Sequence, residues 1–355
     1  MRHRLAAVLL AAVVAVVPGG AAGAAGAAGA AGAGGVDPVR AGQAGLAAAA
    51  APRPPELRLV DDWGRSVALG GPPRRIVSMA PHATELLFAA GAGPRVVAVD
   101  RSSDFPAEVR ALPRLSAHPR PDTERLLSMR PDLVVLWGAA AGRDLVDRLE
   151  GFGVRVFVSE PRGLEDVAGT LERFALLGDD PQRGRDEALR FRQAVAALRA
   201  RHAGGELVPV FVQVWARPLI TLSDRDSFAD VLRTCGARNV FGAERMAAPQ
   251  VGAEAVLRLA PRLVVAFGGE RAQAARDTWT RLGLLAPEGP AGFVQLSGVV
   301  QRPTPRMLEP MAKLCEAVAA VRDHAAGPSG PAAQAARGDL APGVARSGLP
   351  RTDGR

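Results

Sequence analysis

Carboxylates and hydroxyls aside, the side chains beyond the N-terminal segment that could do chemistry are four histidines (His82, His118, His202 and His324), two cysteines (Cys235 and Cys315) and a single lysine, Lys313. Hydrolysis would need a nucleophile elbow, and metal chemistry would need ligands at helical or loop spacing. No Gly-x-Ser-x-Gly, His-Glu-x-x-His or Cys-x-x-Cys occurs, and Lys313 lies outside any phosphate-binding loop motif. The histidines lack metal-ligand spacing. What remains is the chemistry of binding. His82 and His118 suit either the polar rim of a ligand site or an axial or outer contact to a bound metal complex. His202 and His324, near a helix end and the tail, are expected to be solvated.

The elements that would position such a site are visible as a repeat. Residues 124–138 run Glu, a short amphipathic helix, Pro131, a Leu-Val-Val strand, Trp137 and Gly138; residues 254–268 repeat the order with Pro261, Phe267 and Gly268. An early Glu suits the helix dipole, Pro cannot continue a helix, and a β-branched run suits a strand covered on both faces. Two such modules in one register predict two lobes of the same design. Around them the pattern predicts a hairpin over Leu57–Leu69, strands at Ile76–Met79, Val96–Val99, Val154–Val158 and Val208–Val214, and helices at Thr84–Ala90, Leu145–Phe152 and Leu164–Leu177. A long helix over Pro181–His202, apolar at Ala188, Leu189, Phe191, Val195 and Leu198, reads as a stiff spine. The fold class is therefore α/β: two Rossmann-like lobes with small parallel sheets, joined by one long helix. Ligands favour the ends of such sheets and the gap between lobes. The loops expected there are Pro81–His82, Arg101–Ser103, Ala117–His118 and Trp137–Gly138 from one lobe. The other supplies Trp215–Arg217, Met246–Pro249, Gly268–Gly269 and Gln301–Arg302.

The N-terminus supplies the compartment. Arg2, His3 and Arg4 precede an apolar run from Leu5 to Val17 and then a ladder of Ala and Gly. That is the make-up of a secretory signal peptide, too short for a bilayer span of about 20 residues. No cysteine lies near the cleavage region, so a periplasmic protein without a lipid anchor is expected. The organisation predicted is a signal peptide at 1–23, an Ala/Gly/Pro linker at 24–56, an N-terminal lobe at 57–178, a connecting helix at 179–204, a C-terminal lobe at 205–324 and a tail at 325–355. The formal charge of +8 is spread among arginines with no basic tract, which argues against a nucleic-acid partner. In an oxidising compartment Cys235 and Cys315 are expected to pair, tying two helices of the C-terminal half; in a reducing one they would be separate buried thiols.

Several stretches carry a family resemblance. The run from Arg75 to Gly93, with Ser78-Met79-Ala80-Pro81-His82-Ala83-Thr84-Glu85, resembles the opening of the helical-backbone (class III) periplasmic binding proteins of ABC importers. Ser103-Asp104-Phe105-Pro106, Asp122 to Trp137, Val231 to Phe241, Pro249-Gln250-Val251, Thr304-Pro305-Arg306 and Leu314-Cys315 are similar to the cobalamin-binding branch. The likeness runs from about Leu57 to Arg322. It implies a monomeric binder without catalysis or resident cofactor, closing modestly on a metal chelate. It also implies a permease dimer as partner, met by Glu124 on one lobe and Glu254 on the other. Without the resemblance, both glutamates would read as helix-start residues serving the dipole alone.

Ligand identity follows less directly. Trp137 matches an aromatic that cobalamin binders set against their ligand, whereas Ser102, His118, Ala248 and Val299 stand where relatives often carry Tyr or Trp. Trp215 either compensates from the opposite lobe or is a core residue. Arg217, Arg302 and Arg306 would suit the amide or phosphate groups of a corrinoid and, equally, an anionic siderophore. Haem binders usually hold iron through Tyr; the chain has none, and His82 would be the substitute. The leading expectation is a corrinoid carrier, with a ferric siderophore or haem carrier as the alternative. An exported metal-dependent hydrolase is the reading from another class.

Overall fold

The structure, a computed structural model, describes residues 56–117, 121–285 and 291–325. The signal peptide, most of the linker, the tail and His118 lie outside the described residues.

The chain opens with an antiparallel hairpin, β1 (Leu57–Val60) and β2 (Ser66–Leu69). Its turn is built by Asp61, whose carboxylate accepts from the Trp63 and Arg65 amides. There follow β3 (Ile76–Ser78), α1 (Pro81–Ala89), β4 (Val96–Asp100), β5 (Arg114–Leu115), α2 (Thr123–Ser128), β6 (Leu133–Trp137), α3 (Gly138–Gly151), β7 (Arg155–Ser159) and α4 (Leu164–Ala175). The five strands from β3 to β7 form one parallel sheet in the order β5-β4-β3-β6-β7. Helix α5 (Pro181–His202) leads to β8 (Val208–Gln213), the small hairpin β9 (Trp215–Ala216) and β10 (Leu219–Ile220), α6 (Phe228–Thr234) and β11 (Ala237–Asn239). Last come α7 (Ala253–Leu259), β12 (Leu263–Phe267), α8 (Gly269–Arg281), β13 (Gly292–Leu296) and α9 (Leu308–Ala325). The second sheet is also parallel, ordered β11-β8-β12-β13.

The two repeat modules fold alike. Each short helix, α2 and α7, ends in a non-glycine residue with left-handed backbone, Arg130 (φ 47°) and Ala260 (φ 43°). Each of these immediately precedes the proline that stops the helix, since a residue before Pro is disfavoured from the α region. The strands that follow, β6 and β12, are central and buried along most of their length, as continuous apolar runs require.

Helix α5 begins at Pro181 behind the cap of Asp180, whose side chain accepts from the Gln182 amide. Ala188, Phe191 and Val195 are buried, while Leu189, expected on the apolar face, is 53% exposed. Gly184 permits close packing on α4: a Cβ there would lie 2.6 Å from Ala175 Cβ and 3.0 Å from the Leu171 carbonyl oxygen. Arg192 then clamps α4 by pairing with Glu165 and Glu172. The buried face of α5 belongs to a single apolar core that also takes in α1 and α4 on one side and α6 and α9 on the other. The halves thus keep separate sheets yet share a core along the spine, and the described residues from Leu57 to Ala325 belong to one compact unit.

Two helices differ from expectation at their starts. Helix α1 begins at Pro81, three residues earlier than expected, because a proline is preorganised for the first helical position. Helix α3 begins at Gly138 and breaks at Gly142 (φ 68°), where the small residues give no amphipathic signal. His202, expected in solvent, is buried at the end of α5; His324 is exposed.

Candidate functional site

In each parallel sheet the strand order reverses between the two central strands, and a crevice opens at their carboxyl ends. In the N-terminal sheet the reversal lies between β3 and β6. Chain leaving β3 enters α1 at Pro81 and His82; chain leaving β6 enters α3 at Trp137 and Gly138. The structure brings these together: the His82 and Trp137 rings stand edge to face, with centroids 6.4 Å apart. Trp137 is 36% exposed and lines a shallow recess with Met79, Ala117, Pro121, Leu136 and Ala140.

His82 is not a rim residue. It is buried, with Nε2 3.1 Å from the Ser159 hydroxyl and 3.3 Å from the Ser159 carbonyl oxygen. Burial lowers its pKa to about 4; the Ser159 carbonyl opposes that shift and the Arg302 charge adds to it. A neutral imidazole with one nitrogen engaged makes His82 a brace for Trp137. Behind Trp137, Gly138 packs so closely that a Cβ would meet Glu160 Oε2 at 2.2 Å and Trp63 Nε1 at 2.8 Å. Trp63 donates to Glu160 Oε2 over 3.1 Å, and the Arg143 guanidinium lies 5.2 Å from the Trp63 ring centroid. The N-terminal hairpin thereby supports the aromatic wall.

In the C-terminal sheet the reversal lies between β8 and β12. Trp215 follows β8, and Gly268 follows β12. Trp215 is half-buried, so it is neither a core tryptophan nor free. Its Nε1 donates to the Arg217 carbonyl oxygen over 2.9 Å, and the Arg271 guanidinium sits 5.5 Å from its ring centroid. Arg217 itself is exposed on the β9–β10 turn. Ala248 is exposed on the strand-like segment beside that hairpin, flanked by Ala247 and Pro249, whose carbonyls accept from Ser223 and Thr221. Ser102, half-buried after β4, has its amide held by Asp100 at 2.8 Å.

Arg302 and Arg306 are positioned differently from a pair waiting for a ligand. Both reach across to Glu85 on α1, at 3.1 and 3.0 Å, and Thr304 donates to the same carboxylate over 2.9 Å. Arg302 also pairs with Asp104 at 2.5 Å, and the Arg306 guanidinium lies 4.0 Å from the Phe105 ring centroid. Asp104 would have its pKa raised by burial, but its hydrogen bond to Arg302 and the charge of that residue hold it below the ordinary carboxylate value. Sequence reasoning passed over Glu85. A local signal existed: an ionisable residue beside Leu86, Leu87 and Phe88 in an apolar helix needs a partner.

Glu124 and Glu254 both stand exposed in the first turns of α2 and α7. Cys235 and Cys315 form a disulfide, with sulfurs 2.01 Å apart, between the end of α6 and α9. Another surface hollow, lined by Arg75, Ser128, Met129 and Arg130, lies at the opposite, amino ends of β3 and β6.

Known proteins share this architecture. The sequence profile of the family described as periplasmic binding protein matches residues 76–278. A vitamin B12-binding protein of Vibrio parahaemolyticus is 33% identical over 247 residues, covering 69% of this chain and 89% of the relative. That of Vibrio vulnificus strain YJ016 is 32% identical over 259 residues, covering 72% and 94%. The crystal structure of the periplasmic vitamin B12 binding protein BtuF of Vibrio cholerae superimposes with a TM-score of 0.65 at 30% identity, covering 70% of this chain and 98% of that one. The periplasmic heme-binding protein BhuT in complex with two hemes shares the fold, with a TM-score of 0.61 at 23% identity over 70% and 98%. Two parallel sheets on one helical spine, a profile matching more than half of the chain and relatives at one-third identity along most of their length agree: this chain belongs to the periplasmic binding protein family.

Proposed function

We propose that the protein captures cobalamin or a related corrinoid between its lobes and delivers it to the permease of an ABC importer in the periplasm. The observation that carries this reading is a pair of partly exposed indoles, Trp137 and Trp215, each at the strand-order reversal of its own sheet and each braced from behind. A corrinoid is broad and flat, and aromatic faces on opposing walls bind such a shape with large apolar contact. The relatives at about 32% identity, vitamin B12-binding proteins, point the same way.

Haem and ferric siderophores are the alternative. Haem iron is commonly held by Tyr, Cys thiolate, His or Met. Here Tyr is absent, both cysteines are paired, and one nitrogen of His82 is engaged by Ser159. Those features remove Tyr and Cys as iron ligands and leave His82 and Met79 as the candidates near Trp137. Export rests on the Arg2–Arg4 tip and the apolar run after it. Delivery rests on Glu124 and Glu254, one exposed carboxylate per repeat module.

Calorimetry and visible absorbance on the protein lacking its leader test the ligand, using cyanocobalamin, cobinamide, haemin and a ferric siderophore. Micromolar or tighter binding of the corrinoids alone is expected, and Trp137→Ala should weaken it by roughly tenfold or more, the range of one lost aromatic face. Binding of haemin or siderophore without corrinoid overturns the reading.

A further inference from the structure

A balanced charge cluster joins the two halves beside their shared core. Arg302 and Arg306 come from the segment after β13; Glu85 comes from α1 and Asp104 from the loop after β4. Two guanidinium groups and two carboxylates meet at distances of 2.5–3.1 Å. The Glu85 side chain is only 3% exposed, whereas those of Arg302 and Arg306 are 29% and 34% exposed. The arginines therefore border open space while their charge is answered from behind. This cluster lies one helical turn from the aromatic pair, since Glu85 follows His82 by three residues on α1 and His82 meets Trp137.

We infer that Glu85 and Asp104 set the charge of the ligand the cleft accepts: by neutralising Arg302 and Arg306, they make it selective for a chelate of low net charge over an anionic one. The inference rests on the proposed placement of the ligand between the lobes. Bare arginines at the same place would attract carboxylate or catecholate groups, because a guanidinium offers paired donors in a planar fork. Here the donors directed at Glu85 and Asp104 are already committed. An anionic ligand would have to displace a buried carboxylate or be met by no surplus positive charge. A chelate whose periphery is amides meets no such penalty.

The test removes one negative charge and reads selectivity. Asp104→Asn, with a side chain 67% exposed in the native protein, is the primary variant, and Glu85→Gln the second. Each is titrated with cyanocobalamin, a monocarboxylate derivative of cyanocobalamin and haemin. The ratio of monocarboxylate to neutral affinity should rise roughly three- to thirty-fold, as Coulomb's law gives for one charge about 8 Å away at effective dielectric constants between those of water and a protein surface. The gain should shrink at 1 M salt, where the screening length falls to about 3 Å. Should the native protein bind haemin and no corrinoid, the corrinoid reading falls. The charge inference is then scored by whether Asp104→Asn tightens haemin. No gain for either anion in Asp104→Asn overturns the inference.

Discussion

Ser159, at the end of β7, presents both its hydroxyl and its carbonyl oxygen to one nitrogen of His82, which is 77 residues away in the chain. The contact fixes the imidazole edge-on to Trp137 and buries it, so the ring stays neutral at pH 7.

That burial has a pH signature. The unfolded chain titrates at His82 near 6.5 and the folded one near 4. Between those values only the unfolded chain takes up the proton, so stability present above pH 6.5 is lost as the pH falls to 4. The loss from this group is about 3 kcal/mol. His202, whose pKa burial also lowers, acts in the same direction, whereas Asp226, raised by burial, opposes it at the acid end. Urea midpoints at pH 7, 6, 5 and 4 measure the slope, and His82→Gln should flatten it. An unchanged slope in that variant would show that His82 is not buried neutral.

Gly138→Ala should disturb the wall from behind. The added methyl would displace Glu160 from Trp63 and crowd Val158 Cγ1 at 2.8 Å. Overpacking of this kind costs about 1–3 kcal/mol. Urea melts should show that loss, and corrinoid titration should show weaker binding, because Trp137 is the adjacent residue. Native stability and affinity in the variant would mean that the hairpin does not support the wall.

The disulfide closes a loop with a sequence separation of 80 residues. On the chain-entropy model its removal costs about 4–5 kcal/mol. The double variant Cys235→Ser/Cys315→Ser should lose at least that much, since both sites are fully buried in the shared core. Equilibrium unfolding with and without reductant separates cross-link from side-chain effects: reductant should lower the native midpoint and leave that of the variant in place.

Docking through Glu124 and Glu254 predicts a split between uptake and affinity. Both carboxylates are exposed and neither has a contact with Trp137 or Trp215, so Glu124→Arg/Glu254→Arg should leave ligand affinity at its native value. Uptake in cells carrying the importer should cease. Normal uptake by the double variant rejects the docking role.

Much of the architecture was legible because it is written locally. The Glu–helix–Pro–strand modules announce the two central strands, and the polar-faced run from Pro181 to His202 announces the spine with its true ends. The β9–β10 hairpin escaped notice because each strand has two residues, too few for a period. The candidate site was half legible. Trp137, Trp215 and His82 follow strand ends, where position alone marks them. The partners of Arg302 and Arg306 could not be read, because Glu85 lies 217 and 221 residues away and nothing in their own neighbourhood foretells it. His202 was misplaced for a related reason: its cover comes from tertiary packing around the end of the helix.

Among the described residues the chain passes between its two sheets once, through α5. Each sheet is therefore completed by contiguous sequence, and the first can finish pairing while the second is still being made. Glu85 is one residue that must wait for the other half. Its answering charges lie 217 and 221 residues later in the chain. Until that second half folds, the carboxylate stands without them on a surface destined to be interior, a charge that water must hold in the meantime.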